Sequence, residues 1–147
     1  MKTSITACIV LYKNDATILK KAVDSFLNTP LNTKLFLVDN SPTDQLRKNY
    51  NDSSIEYLHN PSNPGFGTSH NIGIKKAIEC KSDFHIILNP DIYFDEKVLL
   101  ELVLYAKDHS NIGSMMPKVL YPDNSIQYLC RLLPSPFELF FRRFFSK

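Results

Sequence analysis

Apolar positions along this chain fall into short unbroken runs, separated by stretches where they recur every three or four residues. Ile5 to Tyr12 is a near-continuous apolar run of strand length, the pattern of a strand covered on both faces. It predicts a central strand. Asp15 then precedes Ile18, Leu19, Ala22, Val23, Phe26 and Leu27 at helical spacing, and Asn28 to Pro30 ends the pattern, so a capped helix follows. Leu35 to Val38 predicts a second buried strand, closing on Asp39-Asn40-Ser41-Pro42. A short polar helix is expected around Asp44 to Tyr50, before a third strand at Ile55 to His59. The stretch from Asn60 to Gly67 is a turn-rich loop, and Ser69 to Cys80 reads as a helix carrying Ile72, Ala77 and Ile78. Phe84 to Leu88 is a further buried strand, ending in Asn89-Pro90-Asp91. Asp95 caps an amphipathic helix through Val98, Leu99, Leu102, Val103 and Ala106, and Ile112 to Leu120 reads as one more strand.

Strands alternating with helices predict an α/β fold: a Rossmann-like, doubly wound, mostly parallel sheet with helices on both faces. The 147 residues, 44% of them hydrophobic, are enough for one core that needs neither a disulfide nor a structural metal. The net charge of +2 is uneven: residues 1–130 carry 13 Lys/Arg against 14 Asp/Glu, and residues 131–147 carry 4 against 1. The chain is therefore expected to divide into a near-neutral body, 1–130, and a basic, aromatic C-terminal segment, 131–147, of helical character. A nucleic-acid binder carries its basic residues on the folded body, so no nucleic-acid partner is expected. Cys8, Cys80 and Cys130 form no CxxC pair, and no basic start leads into an apolar signal stretch. A cytoplasmic location is therefore expected, and with no apolar run of membrane-spanning length any membrane contact is expected to be peripheral.

In doubly wound sheets ligands bind outside the carboxyl ends of the strands, at a switch in strand order. The residues to examine are thus Tyr12-Lys13-Asn14, Asp39-Asn40 and Asn89-Pro90-Asp91, with the glycine- and asparagine-rich block from Asn63 to Gly73 between them. Carboxylates after the second and fourth strands suit a nucleotide with a metal ion. Each residue also has a plainer reading. Asp39 equally makes an Asx-type turn towards Pro42, Asn89-Pro90-Asp91 a strand-ending turn, and Tyr12 a cap on a buried strand. Gly65 and Gly67 equally supply unusual backbone angles. A dinucleotide fingerprint is disfavoured, because His70 stands where its third glycine belongs and the block follows the third strand. No GK[ST] phosphate loop is present, and His59, His70, His85 and His109 lack metal-ligand spacing.

Together, Ala7 to Asn14, Phe36 to Ser41, Asn63-Pro64-Gly65-Phe66-Gly67 through Asn71-Ile72-Gly73, and Leu88 to Asp91 resemble the donor-binding half of family 2 glycosyltransferases, over residues 4 to about 120. The Asn-Pro-Asp form of the last block is similar to the rhamnosyltransferase-like branch. The resemblance implies a GT-A fold and inverting transfer of a sugar from a UDP- or TDP-linked donor to a hydroxyl of a glycan or lipid-linked acceptor, as in cell-surface polysaccharide synthesis. It assigns Asp39 to the nucleotide base and Asp91 to magnesium or manganese at the diphosphate, with Leu11, Tyr12, Asn14, Asn40, Gly65, Asn71 and Asn89 beside the nucleotide. Asn89 replaces the first acidic residue of the metal motif, so metal affinity without nucleotide should be low.

The family's general base is an acidic residue well downstream, and no such motif precedes Lys147. Asp123, in a predicted hairpin turn, and Glu138 do not match it, so no catalytic residue is identified and the chain is expected to be a C-terminally truncated portion that binds donor. A non-catalytic nucleotide-binding or protein-interaction module with the same fold is the alternative. A sugar-nucleotide pyrophosphorylase would need a glycine-rich, basic signature after the first strand. The segment from Phe137 to Phe145 holds six large apolar residues and two arginines, too short to span a membrane. It suits packing against further sequence, self-association, or contact with the inner membrane surface.

Overall fold

The computed structural model describes residues 3–129, with Ser135, Phe137 and Phe141, and the chain divides into two compact units at Ser110 and Asn111. The first unit holds β1 (Ser4–Leu11), α1 (Ala16–Leu27), β2 (Asn32–Asp39), a 3-10 turn (Arg47–Asn49), β3 (Ile55–His59), α2 (Phe66–Glu79), β4 (Phe84–Leu88) and α3 (Glu96–Asp108). Its four strands form one sheet in the order β3-β2-β1-β4, parallel throughout.

Two hydrophobic layers explain the unbroken apolar runs. Alternate residues of β1, namely Ile5, Ala7, Ile9 and Leu11, pack with Leu35 and Leu37 against Leu19, Ala22, Val23 and Phe26 of α1 and Leu99 and Val103 of α3. The intervening Cys8 and Val10 pack with Phe36 and Val38 against Leu58 and Ile72 on the other face. Because both faces are covered, a polar residue in β1 or β2 would lose burial worth about 1.5–3 kcal/mol per large aliphatic side chain. The start of α1 is fixed by Asp15, whose carboxylate accepts the N–H groups of Thr17 and Ile18 at 2.8 and 3.0 Å. Those bonds also hold its carboxyl below the usual carboxylate range.

The structure corrects several sequence expectations. The second long helix starts at Phe66 rather than Ser69, because Gly65, at φ 93°, turns the chain and its carbonyl accepts Ser69 N–H at 3.1 Å. Ile78 lies on its exposed side, and the buried face is Ser69, His70, Gly73 and Ala77. Of the polar helix near Asp44 to Tyr50, only Arg47–Asn49 is helical. In the second unit, β5 is limited to Val119–Leu120 and pairs antiparallel with β6 (Ile126–Gln127). The turn between them has Asn124 at φ 64° and Asp123 accepting Ser125 N–H at 2.9 Å, as the Pro122-Asp123-Asn124 sequence predicts. The aromatic segment lies largely outside the described residues; within it, Phe137 and Phe141 are exposed and helical in backbone. Among the described residues no helix is long and apolar enough to cross a membrane.

Candidate functional site

The strand order places the switch between β1 and β4: β2 and β3 are added on one side of β1, and β4 on the other. Register then sets the strand ends. Leu11 pairs with Asp39, Asp39 with His59, and Ile9 with Leu88, so the loops carrying the polar residues leave the same end of the sheet.

A cleft of about 430 Å³ opens there, lined by Lys13, Asn14, Asp39, Ser41, Pro42, Thr43, Gln45 and Leu46. Asp39 forms its floor and is 1% exposed. One carboxylate oxygen accepts Ser41 N–H at 2.9 Å, so the Asx-type turn is present, and the other accepts the hydroxyl of Tyr57. Burial, and then the Asp39 carboxylate, push the Tyr57 hydroxyl above the ordinary tyrosine range, which keeps it a donor. Arg47 lies over the Tyr57 ring at 4.9 Å and donates to the Tyr57 carbonyl at 3.4 Å, while Asp44 accepts from Arg47 at 2.8 Å.

Backbone groups complete the wall. Lys13 adopts φ 53°, and its N–H donates to Ser41 Oγ at 2.8 Å. Ser41 C=O accepts from His59 Nε2 at 2.9 Å, and Tyr12 N–H donates to Asn14 Oδ1 at 2.7 Å. Leu11 is buried and contributes its carbonyl, which accepts Asn40 N–H at 2.9 Å. Tyr12 is half exposed rather than closing a buried strand. Asn40 is buried, and its amide meets Ser69 Oγ through both nitrogen and oxygen at 2.8 and 3.0 Å, tying the end of β2 to α2.

Of the sequence-predicted residues, Asn14 and Asp39 line this cleft. Tyr12, Gly65, Asn71, Asn89 and Asp91 are exposed, in or next to the elements that end or begin at this edge of the sheet, and do not line it. Asp91 follows β4, and among the described residues no hydrogen bond or ion pair engages its carboxylate. Among the described residues no group of three His, Cys, Asp or Glu gathers as a metal cage. Lys13 and Ser41 fell within the segments singled out from sequence but without a role, and Tyr57 escaped sequence reasoning. Tyr57 was detectable only from register: it lies two residues before His59, the partner of Asp39, on the same face of the neighbouring strand.

Beneath α2 lie two histidines and a cysteine. His70 is 2% exposed and packs edge-on to Phe66, with neither ring nitrogen hydrogen-bonded among the described residues, while His85 Nδ1 meets Thr6 Oγ1 at 2.8 Å. Burial lowers the pKa of His70, and burial with the nearby His70 lowers that of His85 to about 4. The cysteine, Cys8, has its thiol pushed up to about 12 by burial, which removes it as a nucleophile.

A profile of the family described as Glycosyl transferase family 2 matches residues 6–145. The chain belongs to glycosyl transferase family 2. A family relative, the low-salt glycan biosynthesis hexosyltransferase Agl10 of Haloferax volcanii, is 27% identical over 85 residues, covering 57% of this chain and 27% of the relative. Among solved structures, S. aureus TarS 1-349 superposes with a TM-score of 0.61 at 16% identity, covering 74% of this chain and 33% of that one. The same protein in complex with UDP-GlcNAc gives a TM-score of 0.61 at 16% identity, covering 74% and 32%. This family 2 chain has the GT-A fold, and it spans about a quarter of the curated relative and a third of the TarS structure.

Proposed function

We propose that this chain is the donor-binding portion of an inverting glycosyltransferase that takes a sugar from a UDP- or TDP-linked donor. The observation that carries the reading is Asp39: a buried carboxylate on the floor of a cleft at the carboxyl ends of β1 and β2, with acceptor capacity beyond its two internal donors. Uracil and thymine present an N3–H donor, and each carboxylate oxygen has two acceptor sites. Lys13, at the rim, supplies a cation for the diphosphate. The first turn of α2 has no side-chain cap, so its N–H groups and helix dipole suit an anion. That TarS is described in complex with UDP-GlcNAc supports a uridine donor for the shared fold.

Asp91 and Asn89 offer one carboxylate and one amide oxygen, a donor set that fits magnesium or manganese completed by diphosphate oxygens and water. Such an ion, when bound, neutralises charge on the departing diphosphate. A rhamnose-like donor, a glycan or lipid-linked acceptor in polysaccharide synthesis, and a cytoplasmic place, peripheral to the inner membrane face, complete the proposal. Calorimetric titration with UDP, TDP and GDP in the presence of manganese tests it. Binding of UDP or TDP that weakens in Asp39→Asn is expected; absence of binding by all three nucleotides sinks it.

A further inference from the structure

We propose that Tyr57 is the positioning residue for Asp39 and that its hydroxyl sets the preference for a base with an N–H at its central ring edge, an inference that rests on the reading of Asp39 as the base-binding group. A carboxylate's terminal torsion is broad and roughly two-fold, so an aspartate at a strand end does not hold its lone pairs in one direction by itself. Here two donors hold it from opposite sides of the carboxyl group. Ser41 N–H reaches one oxygen at 2.9 Å and the Tyr57 hydroxyl the other.

Tyr57 is itself fixed. It is in the interior of β3, 8% exposed, with its ring in the main core cluster and beneath Arg47 at 4.9 Å. Arg47 is in turn anchored by Asp44 at 2.8 Å. Bonds from a neutral donor to a carboxylate are among the stronger kind, and a partner on a strand positions more sharply than one on a loop. With both oxygens anchored, the remaining lone pairs have a defined direction. A base presenting N–H there is accepted, whereas cytosine presents an acceptor nitrogen at the same point of a ring of the same size and meets the carboxylate lone pair to lone pair. Without the hydroxyl, one oxygen of a buried carboxylate lacks its donor, and the group turns to satisfy it.

Calorimetry with UDP and CDP, at fixed manganese, on the parent chain, Tyr57→Phe, Asp39→Asn and the double variant tests this, with the melting temperature of each recorded. Tyr57→Phe is expected to weaken UDP about tenfold while CDP changes less than about twofold, and to add less than about twofold in the Asp39→Asn background, because it acts through that carboxylate. Equal losses for UDP and CDP, or additive losses in the double variant, would show a merely structural tyrosine and overturn the inference. If the parent does not prefer UDP over CDP, or Asp39→Asn binds UDP like the parent, the base-contact reading fails and this inference falls with it. Should Tyr57→Phe not fold, a structure of the parent with UDP decides: the carboxylate shared between the Tyr57 hydroxyl and the base N–H supports it, and a carboxylate turned away from Tyr57 overturns it.

Discussion

At the scale of single residues, Asp39 and His85 are polar groups removed from water with opposite consequences. Asp39 is buried beside two donors, and the cleft leaves room for a third. A hydrogen bond to a charged group contributes about 1.5–3 kcal/mol, so Asp39→Asn is expected to weaken UDP binding about 10- to 100-fold, read by calorimetry. His85 is held neutral. Its pKa falls from the ordinary 6.5 to about 4, by burial first and His70 second, and that of His70 falls by burial. A base with a depressed folded-state pKa binds more protons unfolded than folded, so stability rises with pH between the two values. The contribution is complete above about pH 6.5 and is lost as pH falls towards about 4. Carboxylates such as Asp44 and Glu56, held low by Arg47 and Lys76, lose their share only below about pH 4.5. Denaturant midpoints at pH 7.5, 6.0 and 5.0 should therefore decline, and His85→Gln should flatten the decline. A flat parent profile would contradict the burial argument.

At the scale of elements, β1 and β2 were legible because residues covered on both faces must be apolar, and runs such as Leu35 to Val38 have few other meanings, whereas β4, expected as a buried strand, lies at the sheet edge with Ile87 exposed. The helix α2 was legible only in part. Its buried face is Ser69, His70, Gly73 and Ala77, which carries little apolar periodicity, and its true start depends on the φ of Gly65. The long strand expected from Ile112 shrank to two residues, since its apolar positions are interrupted by Gly113, Ser114 and Pro117. The Asp39–Tyr57 pair was hidden for a third reason: strand register is not written in either segment alone. The glycines of α2 give a paired test. A methyl at Gly73 would lie 2.4 Å from Cys8 Cβ and 2.6 Å from Sγ, whereas one at Gly67 meets nothing within 4 Å. Alanine gains up to about 1 kcal/mol of helix propensity at either site, but an overpacked contact costs about 1–3 kcal/mol. Gly73→Ala should lower the melting temperature and Gly67→Ala should hold or raise it. Equal effects would mean that α2 does not press on β1 through Gly73.

At the scale of the whole molecule, the carboxylates assigned to base and metal follow different strands, β2 and β4, on either side of β1, so nucleotide and metal are expected to bind as one event. Asp91 has a single formal charge and Asn89 none, and among the described residues no group of three His, Cys, Asp or Glu gathers to hold a metal. One carboxylate is too little to extract a divalent ion from water at submicromolar concentration, while the diphosphate supplies further hard oxygens. Linkage then requires symmetry: the factor by which UDP tightens manganese must equal the factor by which manganese tightens UDP. A coupling of about 1–3 kcal/mol, 5- to 150-fold, is the expected range. Calorimetry in both orders measures each factor independently. Manganese alone should give no resolvable heat at submillimolar concentration, and Asp91→Ala should bring both factors close to one while leaving metal-free UDP binding as in the parent. Strong manganese binding without UDP, or coupling that survives Asp91→Ala, would place the metal elsewhere in the molecule and detach the Asn89-Pro90-Asp91 turn from the donor site.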